Sequence, residues 1–496
     1  MAVKVDTQKE IIFGSSNPNI SCVISKKEKD GELRKLAPRI YTTNLIDSPA
    51  NIVRRNLIEI LVYRYPNALI SHRSAKEMRP TSTGDFFLTN STTRRVTDLP
   101  GIILNFVKGP KATAHDIPFM GMHISGQHRY MLENMQLSRK SGDESRVLPI
   151  SVIENKLEQL LLTGGEERLN QYRDELREVA NELGMADEFS KINNIISALL
   201  STHDARVLST DSAKARASGN PFDANRVGLF EILFDTIKDR YFVIRNNRNT
   251  DEDSFRLFSF FESYFSNYIE GTEFDIEEAK EIVDSGIPMP RRDEDSHDIL
   301  GTFKILSNRT EMRRVPTSPE ELFAILSHRH TILLEGRPHM NPGVFKMRNN
   351  RAGQTEFVDY QLVKGTLSQG FKYYSALTDP FARAIFMMFM ISEVHPFNDG
   401  NGRIARVMMN AEFVRADQSR IIVPTVFRED YILALRKLTR HKDPMAYINV
   451  MTKLHQFSDN LYGTDFTELK NYLAACNAYE EPSQAKLQLI DRSIRH

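Results

Sequence analysis

Short apolar runs mark the first part of the chain, and three-to-four spacing of apolar residues marks most of the rest. Residues 30–43 read as a short strand after Gly31, with Pro38 confining it to an edge. Ser48 and Pro49 then open a helix whose apolar stripe is Ile52, Val53, Leu57, Ile60 and Leu61, and Pro66 stops it. Strand-like alternation recurs at Asp85–Thr89 and Ile102–Val107. From Ile153 to Leu200 the spacing is helical on both sides of Gly164-Gly165. Arg226 to Ile244 predicts a helix, and Ser254 to Ile269 predicts another with Phe255, Phe258, Phe261, Tyr264 and Phe265 on its apolar face. That helix stops at Glu270-Gly271, where glycine suits a helix end.

Residues 270–299 read as a short helix followed by an acidic surface loop, and Ser318-Pro319-Glu320-Glu321 caps a helix running through His330. Asn341–Arg348 and Glu356–Tyr360 flank a polar turn as the arms of a hairpin would. Pro380 to Val394 is apolar almost all round, as a buried helix is. Ile404, Val407, Met408 and Phe413 then form one face of a further helix, and Ala411 to Arg440 is helical with a break at Pro424. The expected fold is multidomain: an α/β region over 1–225, an all-α core with one β-hairpin over 226–460, and a helical accessory tail over 461–496.

Composition narrows the function classes. Hydrophobic residues make up 41% of the 496, enough for sizeable cores, and the formal net charge is zero, so no global field points to nucleic acid or an anionic membrane. Cys22 and Cys476 are too few for a disulfide framework or a cysteine-based zinc cluster. The first ten residues lack an apolar run, and nowhere do eighteen apolar residues follow one another, so a cytoplasmic protein with no membrane span is expected. Locally, residues 26–79 hold twelve Lys/Arg against six Asp/Glu. The clusters Arg34/Lys35 and Arg54/Arg55 would carry a nucleic-acid contact, if that excess is more than a solvated surface. His115, His123 and His128 lack partnered acids and read as incidental.

The chemistry concentrates at His395-Pro-Phe-Asn-Asp399-Gly400-Asn401-Gly402-Arg403-Ile-Ala-Arg406. An imidazole precedes a turn with two glycines, and the turn leads into a helix whose free N–H groups suit an anion. Arg403 and Arg406, three apart, share one helix face and reach what the turn holds. Asp399 would face the same anion, which suits a cation between them, as Mg2+ sits between a carboxylate and phosphate oxygens.

The full string resembles the signature of the Fic family. That resemblance implies AMP transfer from ATP to a hydroxyl of a target protein. It implies His395 as general base, Asp399 holding Mg2+, and Gly400, Asn401, Gly402, Arg403 and Arg406 binding ATP. Ser266-x-x-x-Glu270-Gly271 is similar to the inhibitory-helix motif of Fic proteins, which implies that the helix at about 254–271 blocks the site through a Glu270–Arg406 pair. The hairpin implies a flap, with Val344, Phe345 and Lys346 docking an extended segment of the target by strand addition.

The N-terminal wording is similar to AbiEi-type antitoxins and regulators, on Gly31-x-Leu33-Arg34-Lys35 leading to Ile40-Tyr41, Ala68–Ser71 with Ala75, Leu99-Pro100-Gly101, Arg129-x-x-Leu-Glu-Asn134 and Ala217–Asp223. It implies a winged-helix-like start followed by an α/β region, with DNA or a toxin as partner. Two other readings stay open: AMP removal through the same site, and a regulator in which the Fic core is a sensor.

Overall fold

The computed structural model describes residues 9–200, 204–353 and 355–492. Most of the starting stretch without an apolar run, Gln354 in the expected hairpin turn and the last four residues of the tail lie outside these. The chain divides into two compact units between Ser218 and Gly219, a few residues before the expected boundary.

In the first unit, β1 (Ile11–Phe13), β2 (Arg34–Ala37) and β3 (Ile40–Thr42) form an antiparallel sheet in the order β1-β3-β2, with α1 (Pro18–Lys29) between β1 and β2. The single strand expected over 30–43 is therefore a hairpin, turned at Pro38-Arg39 with Arg39 at φ +61°. The helix expected after Ser48 splits into α2 (Pro49–Arg55) and α3 (Leu57–Arg64), broken at Asn56, whose amide donates to the Ile52 carbonyl at 2.8 Å. Among the described residues, the segment expected to begin winged-helix-like holds α1, the β1-β3-β2 sheet, α2 and α3. Its basic clusters are partly spent: Arg34 donates to the Asn44 and Asp47 carbonyls, and Arg55 pairs with Glu10 and Asp47.

A mixed sheet follows, built from β4 (Leu69–Ile70), β5 (Asp85–Asn90), β6 (Arg94–Leu99), β7 (Ile102–Lys108), β8 (Ile117–Phe119) and β9 (Met122–Ile124) in the order β6-β7-β5-β4-β9-β8. The α4 helix (His72–Glu77) interrupts it, and α5 (Gln127–Glu133), α6 (Ile150–Leu183), α7 (Ala186–Leu199) and α8 (Asp211–Ala217) complete the unit. Gly165, at φ +67°, kinks α6 at the glycine pair. His128 is held by Glu175 at 3.0 Å, and no group of three or more His, Cys, Asp or Glu among the described residues could hold a metal.

The second unit is helical: α9 (Ala224–Ile237), α10 (Glu252–Ile269), α11 (Ile276–Ser285), α12 (Asp293–Leu306), α13 (Arg309–Met312), α14 (Pro319–Leu333), α15 (Val363–Ala376), α16 (Pro380–Val394), α17 (Asn401–Arg415), α18 (Arg428–His441), α19 (Pro444–Ser458) and α20 (Phe466–Ala475). The expected apolar helix is α16, with Phe386 to Ile391 wholly buried, and it packs along α17. The acidic loop expected through 299 is helical from Asp293, because α12 buries Ile299 and Phe303 and packs on α10 and α14. The helix expected from Ala411 to Arg440 ends at Arg415 and resumes only at Arg428.

The expected tail is part of this unit rather than an appendage. Phe466 lies against Phe260 and Phe261 of α10, each 5.8 Å between ring centres, and Tyr479 stacks on Phe265 at 5.4 Å. No helix among the described residues is long and apolar enough to cross a membrane.

Candidate active site

The α16 helix ends because His395 turns left-handed, at φ +52°, while its N–H still closes the helix on the Ile391 carbonyl at 2.9 Å. Its imidazole is fixed twice. Nδ1 lies 3.0 Å from the Ser392 carbonyl, which can only accept, so Nδ1 carries the proton and Nε2 presents its lone pair. The Phe357 ring lies parallel to it, 3.6 Å between centres. Burial, with the Lys346 charge in support, pushes the imidazole down to about 4 against the opposing hydrogen bond from Ser392 and the charges of Glu270 and Asp399. A neutral base results.

The turn after His395 is held by groups outside the sequence signature. Phe397 stacks on His330, 3.7 Å between centres. His330 Nε2 donates to the Asp399 carbonyl at 3.0 Å while its Nδ1 accepts from the Gly343 N–H at 2.8 Å, and burial brings this ring to about 4 as well. Asn350 donates to the Phe397 carbonyl at 2.9 Å. The Asn401 amide accepts from the Phe397 N–H and donates to its carbonyl, both at 2.9 Å. Asn401 therefore clamps the turn with its side chain, and only its backbone N–H is left for a phosphate, which differs from the expected contact. Gly400 enters α17 at φ +70°, where a Cβ would come within 3.0 Å of Leu333.

No side chain among the described residues caps α17, so its first N–H groups are without a side-chain acceptor. Asp399 accepts from the Gly400 N–H at 2.7 Å through Oδ1. Its Oδ2 stands 3.7 Å from Arg403, and the side chain is 39% exposed.

The end of α10 sits against this turn. Arg406 donates through Nε to the Ser266 hydroxyl at 3.0 Å, and through Nη2 to the Ser266 carbonyl at 2.8 Å and to Glu270 Oε1 at 2.7 Å. Gly402 makes room: a Cβ there would fall 2.1 Å from Glu270 Oε1. The carboxylate thus lies over the first turn of α17, where an anion is favoured, although it terminates its own helix against the dipole. Burial would raise the Glu270 carboxyl, but the Arg406 and Arg403 guanidinium groups outweigh it and hold it below its ordinary value. Gly271 reverses the chain at φ +95°, and the Thr272 N–H closes the helix on the Asn267 carbonyl at 3.1 Å. Asn267, outside the expected motif residues, faces Arg403 at 3.3 Å.

The hairpin is shorter than expected. Of its paired strands, β10 (Arg351–Ala352) and Thr355 of β11 (Thr355–Glu356) fall inside what reads as the polar turn, and only Glu356 comes from an expected arm. Among the described residues, 341–348 do not pair with 356–360 as strands, because they adhere to the turn after His395 instead. The Lys346 N–H bonds the Pro396 carbonyl at 2.8 Å, and its buried ammonium bonds Asn350 at 2.7 Å and Val394 O at 3.4 Å. Burial brings that ammonium down to about 8. Of the three expected docking side chains, Val344 is exposed, Phe345 packs between Phe323 and Phe397, and Lys346 faces inward.

Comparison with known proteins places this geometry. Residues 318–412 match the Fic/DOC family. The chain is 30% identical over 115 residues to Protein adenylyltransferase fic-1 of Caenorhabditis elegans, covering 23% of this chain and 22% of that protein. It is 24% identical over 214 residues to Protein adenylyltransferase Fic of Nematostella vectensis, covering 40% of this chain and 47% of that one. The chain thus spans less than half the length of these relatives. A solved fragment of C. elegans Fic-1 is similar with a TM-score of 0.36 at 16% identity, over 66% of this chain and 92% of that one. Residues 318–412, with the turn from His395 to Arg406 inside them, are a Fic/DOC family domain.

Proposed function

We propose that this chain is a protein adenylyltransferase, which moves AMP from ATP to a Ser, Thr or Tyr hydroxyl of a target protein and is held in check by Glu270. The observation that carries the reading is the His395 ring, whose proton is tied to the Ser392 carbonyl so that Nε2 is left as an acceptor, in a turn that leads into a helix with no side-chain cap among the described residues. Nε2 takes the target hydroxyl's proton as the oxygen attacks the α-phosphorus. The bond to pyrophosphate breaks, and the negative charge of the leaving group falls to Arg403, Arg406 and the first N–H groups of α17.

Asp399 suits Mg2+: its Oδ2 takes no backbone bond among the described residues, its side chain is 39% exposed, and this metal takes one or two carboxylates with phosphate oxygens. Bound there, the ion would neutralise phosphate charge. In this structure Glu270 occupies the guanidinium that a terminal phosphate needs. A carboxylate and a phosphate cannot share one donor fork, so the nucleotide binds in a poor pose. A cytoplasmic setting goes with this reading.

Incubation with labelled ATP tests it, comparing wild type, Glu270→Gly and Glu270→Gly/His395→Ala. Label should be strongest in Glu270→Gly, and adding His395→Ala should cost about 10²- to 10⁴-fold while ATP still binds. Equal labelling with and without His395 would remove the assignment. Faster loss of AMP from a modified protein with wild type than with Glu270→Gly would make AMP removal the main direction.

A further inference from the structure

One buried carboxylate touches this site from outside the motif. Asp298, on α12, is 2% exposed. Its Oδ2 accepts from Arg403 Nη1 at 2.7 Å and from Arg337 Nη2 at 2.8 Å, and its Oδ1 accepts from Arg337 Nε at 3.1 Å. Two guanidinium groups therefore meet on a single oxygen atom. Arg403 is itself buried, its Nε has no acceptor among the described residues, and it also lies 3.3 Å from Asn267 and 3.7 Å from Asp399. Arg337, just past α14, is partly open and reaches Glu294 at 3.2 Å and Asp295 at 3.4 Å on its outer side.

A buried arginine needs a counter-charge, and Asp298 is the close one for the inner arginine, while Arg337 also draws on Glu294 and Asp295. The inner one is Arg403, whose Nη2 is directed at the turn beside Asp399. The two arginines are balanced by Asp298, Asp399, Glu294 and Asp295, and what ties the cluster to the cradle is position: one end of the Arg403 fork is bonded to Asp298 and the other stands beside the turn where phosphate is expected.

We infer that Asp298 is a positioning residue for the phosphate cradle, orienting Arg403 toward the nucleotide, and that Arg337 locks Asp298 in place from the other side. The inference rests on the adenylyltransferase reading of the turn. Asp298 fixes the plane of the Arg403 fork, so that Nη2 faces the turn without reorganisation when phosphate arrives. Arg337 bonds both oxygens of Asp298, which keeps that carboxylate from rotating toward solvent.

The test measures affinity for ATP and for AMP by calorimetry in the full chain carrying Glu270→Gly, alone and with Asp298→Asn, Asp298→Glu or Arg337→Gln, with the melting temperature of each. Asp298→Asn should weaken ATP by about 10- to 100-fold, the usual loss when a group that orients a ligand-binding side chain is removed. AMP affinity should change no more than about twofold, and Asp298→Glu should recover most of the loss. Arg337→Gln should weaken ATP in the same direction by less. Labelling should show a raised KM for ATP with kcat much less affected. An equal loss for ATP and AMP, or no loss for either, would overturn the inference. If Asp298→Asn does not fold, Arg337→Gln decides, because Arg337 is partly open: an unchanged ATP-to-AMP ratio overturns it. Absence of ATP binding in Glu270→Gly itself would instead sink the nucleotide reading on which the inference stands.

Discussion

Each unit of this chain buries arginines among carboxylates, and Arg129 of the first and Arg406 of the second are closed differently. Arg129 in the first unit donates to Asp116 at 2.8 Å, to Glu133 at 2.9 Å and to the carbonyls of Lys111 and Pro110 at 3.0 and 2.8 Å. Both carboxylates are bonded on their other oxygens: Glu133 accepts from the His72 N–H and the Ser125 hydroxyl, and Asp116 from the Gly126 N–H. Neither is exposed beyond 1%. Arg406 in the second unit is as deeply buried, but its carboxylate partner Glu270 contacts it through one oxygen and is one-third open to solvent. It also ends a helix whose dipole disfavours it. A carboxylate bonded on both sides has no exit, whereas one bonded on a single side can turn to water when a phosphate replaces it. The first arrangement reads as structure and the second as a switch.

The sharpest way to break that distinction is to delete each arginine. Arg129→Ala strands two fully buried carboxylates and should cost about 3–5 kcal/mol of stability, without altering labelling by the folded protein. Arg406→Ala leaves Glu270 free to solvate, so its melting temperature should fall far less while ATP-dependent labelling changes. Calorimetric melts of the two variants side by side settle it, and equal destabilisation would mean that Glu270 is as trapped as Glu133.

Next in size is the release of the switch itself. Coupling between a regulatory and an active site is typically about 1–3 kcal/mol, so Glu270→Gly should raise labelling by about 5- to 150-fold. The rise should disappear in Glu270→Gly/Arg406→Ala, since the guanidinium being freed is gone. A double variant that keeps the full rise would show that Glu270 acts on something other than Arg406.

The pH profile sharpens the comparison further, because both partners of the switch and the base have defined charge states. His395 is held neutral down to about 4, and Glu270 is charged above its lowered range. The rate of Glu270→Gly should therefore stay flat from pH 8 to about 5, then fall about tenfold per unit below pH 4. An imidazole at its ordinary value would begin to fail near pH ~6.5. The ratio of Glu270→Gly to wild type should also be constant over the flat interval. Stability runs the other way from a gained proton: unfolded His395 takes up a proton below pH ~6.5 that the folded ring refuses, so stability falls as pH drops from there toward 4.

The turn after His395 and the end of α10, which the structure brings together, were legible in the sequence because each is contiguous: His395 to Arg406 and Ser266 to Gly271 are each a single short string. The sequence showed poorly whatever reaches the site from elsewhere in the chain. His330 marks only a helix end in sequence, Asn350 only a polar turn, and Phe357 only a hairpin arm, yet they hold Asp399, Phe397 and His395. Asp298 fell in a stretch whose acidity suggested a solvated loop. Its helical spacing, with Ile299 and Phe303 turned inward, was the available signal. Arg129, Glu133 and Asn134 were legible as a pattern but not as a buried network, since nothing local shows that Asp116 and Ser125 close it.

The smallest expected effect concerns the C-terminal segment, which the sequence offered no reason to connect with the switch. Tyr479 stacks on Phe265, one residue before Ser266, and Glu481 accepts from the Tyr268 hydroxyl at 2.9 Å, two residues before Glu270. These contacts brace the last turns of α10, next to the residues that meet Arg406. The single-sided Glu270 contact needs such a brace, while the doubly closed Arg129 network needs none. Tyr479→Ala should therefore free the last turn of α10 without touching the active site, at a coupling of about 0.5–1 kcal/mol. Labelling by the otherwise wild-type chain should rise by about two- to fivefold. The same substitution in Glu270→Gly should add nothing, because no carboxylate remains to be displaced. Phe466→Ala, whose contacts lie a turn or more deeper at Phe260 and Phe261, should raise labelling less than Tyr479→Ala does. A rise of equal size in Glu270→Gly would show that the segment acts on α10 by a route independent of the switch.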